Sequence, residues 1–210
     1  MSDAPTLIGY GPSVYCRMVR LVLAELSVPL VWEEMDPFDA PGTDPHPMNR
    51  VPVLRQGDFA LWETGAITRY LDRLHGATLT PDEPRAAARM DQVIGIVDAY
   101  AYWPLVRQVY SHAVFDPSPD GAADVSAGLA AAEPVLDMLE EIAVEGLVLT
   151  ERRTLADCHL APILAAFAAA EAGQAALDRR HGLARWVAAL DGWPAFRDAG
   201  AAHVPPGAAP

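Results

Sequence analysis

Apolar and polar positions fall into two regimes along this 210-residue chain. Over roughly the first third, short apolar runs alternate with helical stretches; beyond residue 84 the spacing is helical almost throughout. Residues 6–10 (TLIGY) read as a short apolar strand running into a Gly11-Pro12 turn. Residues 13–27 then read as a helix with apolar side chains on nearly every face, the pattern of a helix buried on both sides. Its Arg17 and Arg20 are expected to pair with acids near the helix surface. Val28-Pro29 ends it, and residues 30–34 (LVWEE) form a second strand candidate. Strand, helix and strand within about thirty residues make a parallel crossover unit. Residues 35–49, rich in Pro, Asp and Gly, read as irregular with room for one helical turn.

Residues 51–54 are a strand candidate with Pro52 inside it. A proline there loses a ladder donor, which fits an edge position or a functional kink. Gln56-Gly57-Asp58 makes a hairpin turn and residues 59–62 the returning strand. Thr64 can cap a helix whose Ile67, Tyr70, Leu71 and Leu74 follow the i, i+3, i+4, i+7 spacing, with Gly76 as its stop. The order β-α-β-loop-β-β-α is thioredoxin-like.

Residues 77–84, with Thr-Pro and Glu-Pro breaks, look like a linker. Beyond it, residues 85–112 read as a long helix kinked at Trp103-Pro104. Residues 115–121 read as a loop, and 122–144 as a second long helix bent by Pro134. Residues 154–172 form a third helix, opened by a Thr154-x-x-Asp157 capping box. In it, His159 reads as a core histidine. Residues 177–190 form a fourth helix and 193–198 a final turn. The expected fold is an α/β thioredoxin-like N-terminal domain (1–77) followed by an all-α helical-bundle C-terminal domain (85–199), with 200–210 a disordered tail.

Charge and cysteine content narrow the function classes. The formal charge is −13, from 15 basic and 28 acidic residues, which makes nucleic acid an unsuitable partner. Any anion must be held by local geometry. All the basic residues are Arg, which with the Ala, Gly and Pro content suggests GC-rich coding and a bacterial source. The start MSDAP shows no secretory pattern, and the longest uncharged apolar stretch, 158–170, is too short to span a bilayer. Cys16 and Cys158 give neither a disulfide framework nor metal-ligand spacing. The expectation is a reduced, cytoplasmic protein without a metal and without membrane attachment.

Four segments carry a resemblance to a known family: SVYCRMVRLVLAE (13–25), NRVPVL (49–54), LWETGAITRYL (61–71) and TLADCHLAPILAAF (154–167). In this order and spacing the chain resembles the cytosolic glutathione transferases, in a bacterial, serine-type-like form. The resemblance implies a homodimeric transferase that joins the glutathione thiolate to small hydrophobic electrophiles. Glutathione-dependent isomerisation or dehalogenation uses the same thiolate. A non-catalytic binding or regulatory protein of the same fold is the alternative from another class.

The chemistry fits the residues. A thiol near pKa 8.5 is only a few per cent thiolate at neutral pH. Lowering that pKa by two units takes roughly 2.7 kcal/mol. A hydrogen bond to a charged acceptor supplies about 1.5–3 kcal/mol and a helix N-terminus up to about 2. Ser13, at the entrance to the first helix, stands where the family's catalytic Ser or Cys stands; Tyr10, Tyr15 and Cys16 are the alternates. Ser13-Val-Tyr-Cys16 also resembles a CxxC redox motif whose attacking cysteine is now serine, which disfavours disulfide exchange. The resemblance further implies a cis peptide at Val51-Pro52, presenting the Val51 backbone to the cysteinyl part of glutathione. In the family Pro-Phe-Gly commonly precedes this stretch. Here Pro47-Met48-Asn49 stands instead, and Asn tolerates the left-handed turn geometry. Glu63 suits the α-ammonium and Thr64, at a helix start, the γ-glutamyl carboxylate. Arg50 is a candidate for a carboxylate of the tripeptide and His46 for its glycyl end. For the hydrophobic substrate the candidates are Tyr10, Pro12, Tyr102, Trp103, Arg107 and Tyr110, with His112 beside them.

Overall fold

In the computed structural model, which describes residues 4–38 and 45–200, the chain forms two units. Of the described residues, the first unit holds those up to Thr78 together with 194–200, and the second is Leu79–Trp193. The boundary therefore departs from the expected 85–199 domain at its far end. The last helix packs in the first unit, where the Arg17 guanidinium lies 4.1 Å from the Phe196 ring centroid. Residues 201–210 lie outside the described residues, as does most of the expected tail.

The first unit is a four-stranded sheet in the order β2-β1-β3-β4: β1 Thr6–Gly9, β2 Val31–Glu34, β3 Val53–Gln56 and β4 Phe59–Trp62. β1 and β2 are parallel, joined by α1 (Val14–Glu25) as the crossover; β3 runs antiparallel to both β1 and β4. α2 (Thr64–Leu74) follows β4. Leu7, Ile8, Val53 and Leu54 from the sheet meet Met18, Leu21, Val22, Ile67 and Leu71 from the helices in a core that excludes water almost entirely. Two strand starts differ from expectation. β2 begins at Val31, and Pro52 precedes β3 instead of sitting inside it, because a residue without N–H cannot donate to the ladder. The turn from β3 to β4 is two residues, with Gly57 at φ 59°, the left-handed geometry that matches strand twist. Of the expected helical turn at 35–49, residues 39–44 lie outside the described residues.

Arg17 and Arg20 do not follow the expectation of acidic surface partners alone: Arg17 is buried against Phe196, and Arg20 lies over Trp32 at 5.4 Å. Guanidinium planes stack on ring faces with little loss of hydration, which lets a buried helix carry them.

The second unit is helical: α3 (Pro84–Ile96), a π-helix (Val97–Phe115), α4 (Ala122–Glu145), α5 (Leu155–Ala168), α6 (Glu171–Asp178) and α7 (His181–Ala188). The expected long helix over 85–112 is thus two windings in series, the second wider and containing Pro104. Pro134 is accommodated inside α4, which closes at Gly146 with φ 76°. The expected helix 154–172 stops at Ala168, where the chain bends by 119° into α6. Gly173 permits that corner, since a Cβ there would sit 2.0 Å from the Phe167 carbonyl oxygen. The expected helix 177–190 is instead the end of α6 and all of α7. Among the described residues no single helix is long and apolar enough to cross a membrane. The fold is a thioredoxin-like α/β domain joined to a helical domain.

Candidate functional site

Strand register brings the sequence-predicted residues to one end of the sheet. Gly9 ends β1 opposite Glu34 at the end of β2. On the other side, Ile8 pairs with Val53, so the residues just before Val53 lie beside the end of β1. Val53 pairs with Trp62, so the residues after Trp62 lie there too. The Gly11-Pro12-Ser13 turn, Val51-Pro52 and Glu63-Thr64 therefore all leave the sheet at the same end.

Ser13 is the N-cap of α1, with extended backbone (φ −70°, ψ 121°). Its N–H donates to the Tyr10 carbonyl at 2.9 Å, closing the turn. Its hydroxyl oxygen accepts the Cys16 N–H at 3.3 Å, one of the donors a helix N-terminus leaves over. An oxygen used as acceptor keeps its own O–H as a donor. Ser13 is half-buried, as are Tyr10 and Tyr15; the Tyr10 ring meets Phe38 edge-on at 6.1 Å. Cys16 differs. It is fully buried, and burial pushes its thiol up to about 11 against the opposing influence of its hydrogen bond with Ser13. Such a thiol is neither exposed nor ionised near neutral pH, which argues against the redox role considered for it.

The Val51-Pro52 peptide is cis, with Pro52 buried and Val51 half-buried. Asn49 before it has φ 52°, the left-handed geometry expected of the turn, and its side-chain amide donates to the Pro37 carbonyl at 2.7 Å. Arg50 is exposed.

Glu63 holds φ 69° and ψ 113°, an uncommon backbone for a residue with a Cβ. It, not Thr64, is the N-cap of α2: its carbonyl accepts from Ala66 and Ile67 at 2.9 Å each. Thr64 is the first helical residue and is buried, while the Glu63 side chain is 76% exposed. A backbone forced into a sparse region to direct a carboxylate outward is the kind of strain found at binding sites. His46 is buried; its Nδ1 accepts the Met48 N–H at 3.0 Å, which leaves the ring proton on Nε2, 3.9 Å from Glu63 Oε1. Its ring meets Trp62 edge-on at 6.0 Å. The proximity of His46 and Glu63 was not legible in their separate positions.

Glu34 is the residue that pattern reading missed. Its Oε1 accepts the Gly11 N–H at 2.9 Å and its Oε2 the Trp32 indole N–H at 2.7 Å. The only available signal was an acid at the end of a strand.

The remaining candidates belong to the π-helix of the second unit. Trp103 is 63% exposed, Arg107 is exposed and Tyr102 half-buried, whereas Tyr110 is buried with its ring centroid 6.3 Å from that of Phe115. His112 lies 3.8 Å from Asp124. Among the described residues no group of three or more His, Cys, Asp or Glu side chains is arranged to hold a metal ion.

Comparison with known proteins agrees with this geometry. Residues 7–81 match the family model described as glutathione S-transferase, N-terminal domain. Glutathione S-transferase F14 of Arabidopsis thaliana is 32% identical over 126 residues, covering 56% of this chain and 49% of that protein. The chain is thus matched over about half the length of the curated relatives. Among solved structures, glutathione S-transferase III in its apo form has a TM-score of 0.82 and 25% identity, covering 97% of this chain and 99% of its own. A theta-class glutathione S-transferase from Xanthomonas axonopodis pv. citri, solved with glutathione bound, shares the fold at a TM-score of 0.75 and 22% identity, covering 94% of this chain and 96% of its own. Residues 7–81 are thus similar to a glutathione S-transferase N-terminal domain, and the chain as a whole shares the fold of these structures.

Proposed function

We propose that this chain is a glutathione transferase in which Ser13 stabilises the glutathione thiolate for attack on small hydrophobic electrophiles. The observation that carries the reading is the shared sheet end: a half-buried hydroxyl at a helix N-terminus, a cis Val51-Pro52 edge and an outward carboxylate at a second helix start. In this reading glutathione is the co-substrate. The Val51 backbone pairs with its cysteinyl part, and Glu63 meets its α-ammonium. Thr64 and the α2 N-terminus hold the γ-glutamyl carboxylate, with Arg50 and His46 toward the glycyl end. The Ser13 O–H donates to the sulfur, the thiol proton passes to water, and the thiolate forms a carbon–sulfur bond as the leaving group departs with its electron pair. Tyr10 and Pro12, on the turn that carries Ser13, are the proposed contacts of the electrophile in this unit. The active form is a cytoplasmic homodimer, without a metal.

Retention on immobilised glutathione, followed by conjugation of 1-chloro-2,4-dinitrobenzene by wild type and Ser13→Ala, tests the reading. Binding with conjugation that depends on Ser13 is expected. Absence of retention removes the glutathione site. Retention without conjugation of any of a panel of electrophiles favours a binding protein of the same fold. Activity unchanged in Ser13→Ala transfers the role to Tyr10 or Tyr15.

A further inference from the structure

The turn that carries Ser13 is held from outside by a strand that the proposed glutathione contacts do not use. Trp32 and Glu34 lie two residues apart on β2, so their side chains share one face of the sheet. The Trp32 ring covers Gly9 so closely that a Cβ there would lie 2.8 Å from it and 2.7 Å from Cys16 Sγ. Arg20 stacks over the same indole. Clamped in this way, the indole N–H fixes one oxygen of Glu34, and the other oxygen takes the Gly11 N–H. A charge-assisted bond of this kind is shorter and stronger than a neutral one. Gly11 is two residues from Ser13, whose own N–H closes the turn on Tyr10.

We infer that Glu34, braced by Trp32, is a positioning residue that fixes the Gly11-Pro12 turn and with it the direction of the Ser13 hydroxyl. The inference rests on the glutathione-transferase reading for its catalytic consequence, though the brace itself belongs to the ligand-free protein. Displacing a reacting group by about an ångström can cost up to a hundredfold in rate, so a turn without a second anchor is a weak support for a catalytic hydroxyl. Glu34 also brings a negative charge to the neighbourhood of Ser13. The charged groups facing it are Arg20 from α1 and Asp198 from α8 (Pro194–Asp198), which line the same cleft of about 600 Å³. Both charges reach the first turn of α1, since Glu34 disfavours and Arg20 favours the Cys16 thiolate there, each as a minor influence beside burial.

Two measurements on Glu34→Ala and Glu34→Gln test the brace. In amide NMR of the ligand-free proteins, Glu34→Ala should move the Gly11, Ser13 and Cys16 resonances together, and Glu34→Gln, which keeps an acceptor, should move them less. Movement of Gly11 alone, or of none, overturns the inference whatever glutathione does. In conjugation kinetics, Glu34→Ala should lower kcat about tenfold with the KM for glutathione changed by less than about threefold, and Gln should restore most of kcat. By thiolate absorbance, the bound glutathione thiol should titrate at higher pH in the Ala variant, and in the Gln variant at or below the wild-type pH because a negative charge has gone. Wild-type kcat and titration in Glu34→Ala overturn the inference. Failure of the wild type to bind glutathione would overturn the proposed function instead, and the amide measurement would still decide the brace.

Discussion

Two helix starts in this protein use the same device and end in opposite states. α1 opens on Ser13-Val-Tyr-Cys16 and α5 on Thr154-Leu-Ala-Asp157: a hydroxyl residue at the cap and, three residues on, the position that a capping box fills with an acid. In α5 the box is closed. The Thr154 N–H and hydroxyl both donate to Asp157 Oδ2 at 2.8 Å, Trp186 donates to Oδ1 at 3.0 Å, and the whole group is buried. In α1 the acid is replaced by a buried cysteine, and the serine oxygen accepts one backbone N–H. A closed box spends the hydroxyl proton on an acid; the open one has no acid to take it, and its hydroxyl meets only the first turn of its own helix and the Cys16 thiol. That difference separates a structural cap from a candidate reaction centre more sharply than residue type does.

The comparison can be broken at several points. Asp157→Ala should have the largest effect, destabilising the protein by about 3 kcal/mol or more in denaturant unfolding, because Thr154 and Trp186 are left with buried donors. A loss below about 1 kcal/mol would mean that the box is not the support it looks like. Ser13→Ala should do the reverse: conjugation falls about a hundredfold, while stability falls by only about 1 kcal/mol, the worth of one cap. Equal damage to both would make Ser13 structural. Cys16→Ala should change conjugation by less than about threefold, and in the native wild type both buried cysteines should resist thiol reagents until unfolding. Rapid native labelling would reopen the redox reading.

The smallest effects concern pH, and their signs differ between caps. Burial is the main influence on Asp157 and raises its carboxyl above the usual range, against the hydrogen bonds from Thr154 and Trp186. Its contribution is therefore fully present below the unfolded pKa and is lost as pH rises through the folded value. The stability of wild type minus that of Asp157→Asn should shrink across that rise. Glu83, the exposed cap of α3, has its carboxyl lowered by hydrogen bonds from the Arg85 and then the Ala86 backbone N–H groups. Its contribution is present above the unfolded pKa and is lost as pH falls through the folded value, so Glu83→Gln should matter at neutral pH and not in acid. Slopes of the same sign would count against the assignment of causes.

Much of this architecture was legible in the chain because it is local. Apolar spacing fixes where helices run, Gly57 and Gly76 fix turns, and Thr154-x-x-Asp157 announces a helix start within four residues. The strand-helix-strand order gave the thioredoxin-like topology, and Ser13, an ordinary cap by residue type, stood out because the family resemblance puts a catalytic Ser or Cys at that place. What local pattern could not supply were contacts set by register and burial. Nothing in the sequence says that Val53 pairs with both Ile8 and Trp62, and only that pairing gathers Ser13, Val51-Pro52 and Glu63-Thr64 at one sheet end. The break of the 154–172 helix at Ala168 depends on how closely Gly173 approaches Phe167, and the grouping of the last helix with the first unit depends on Arg17 finding Phe196. Sequence alone determined the strand-helix-strand order and the cap at Ser13, since both follow from residues within a few positions of one another, and it left Ser13, Tyr10, Tyr15 and Cys16 as alternatives for the reacting group. The tertiary structure alone decided which neighbours that hydroxyl has, because Glu34 reaches the Ser13 turn from a strand more than twenty residues away.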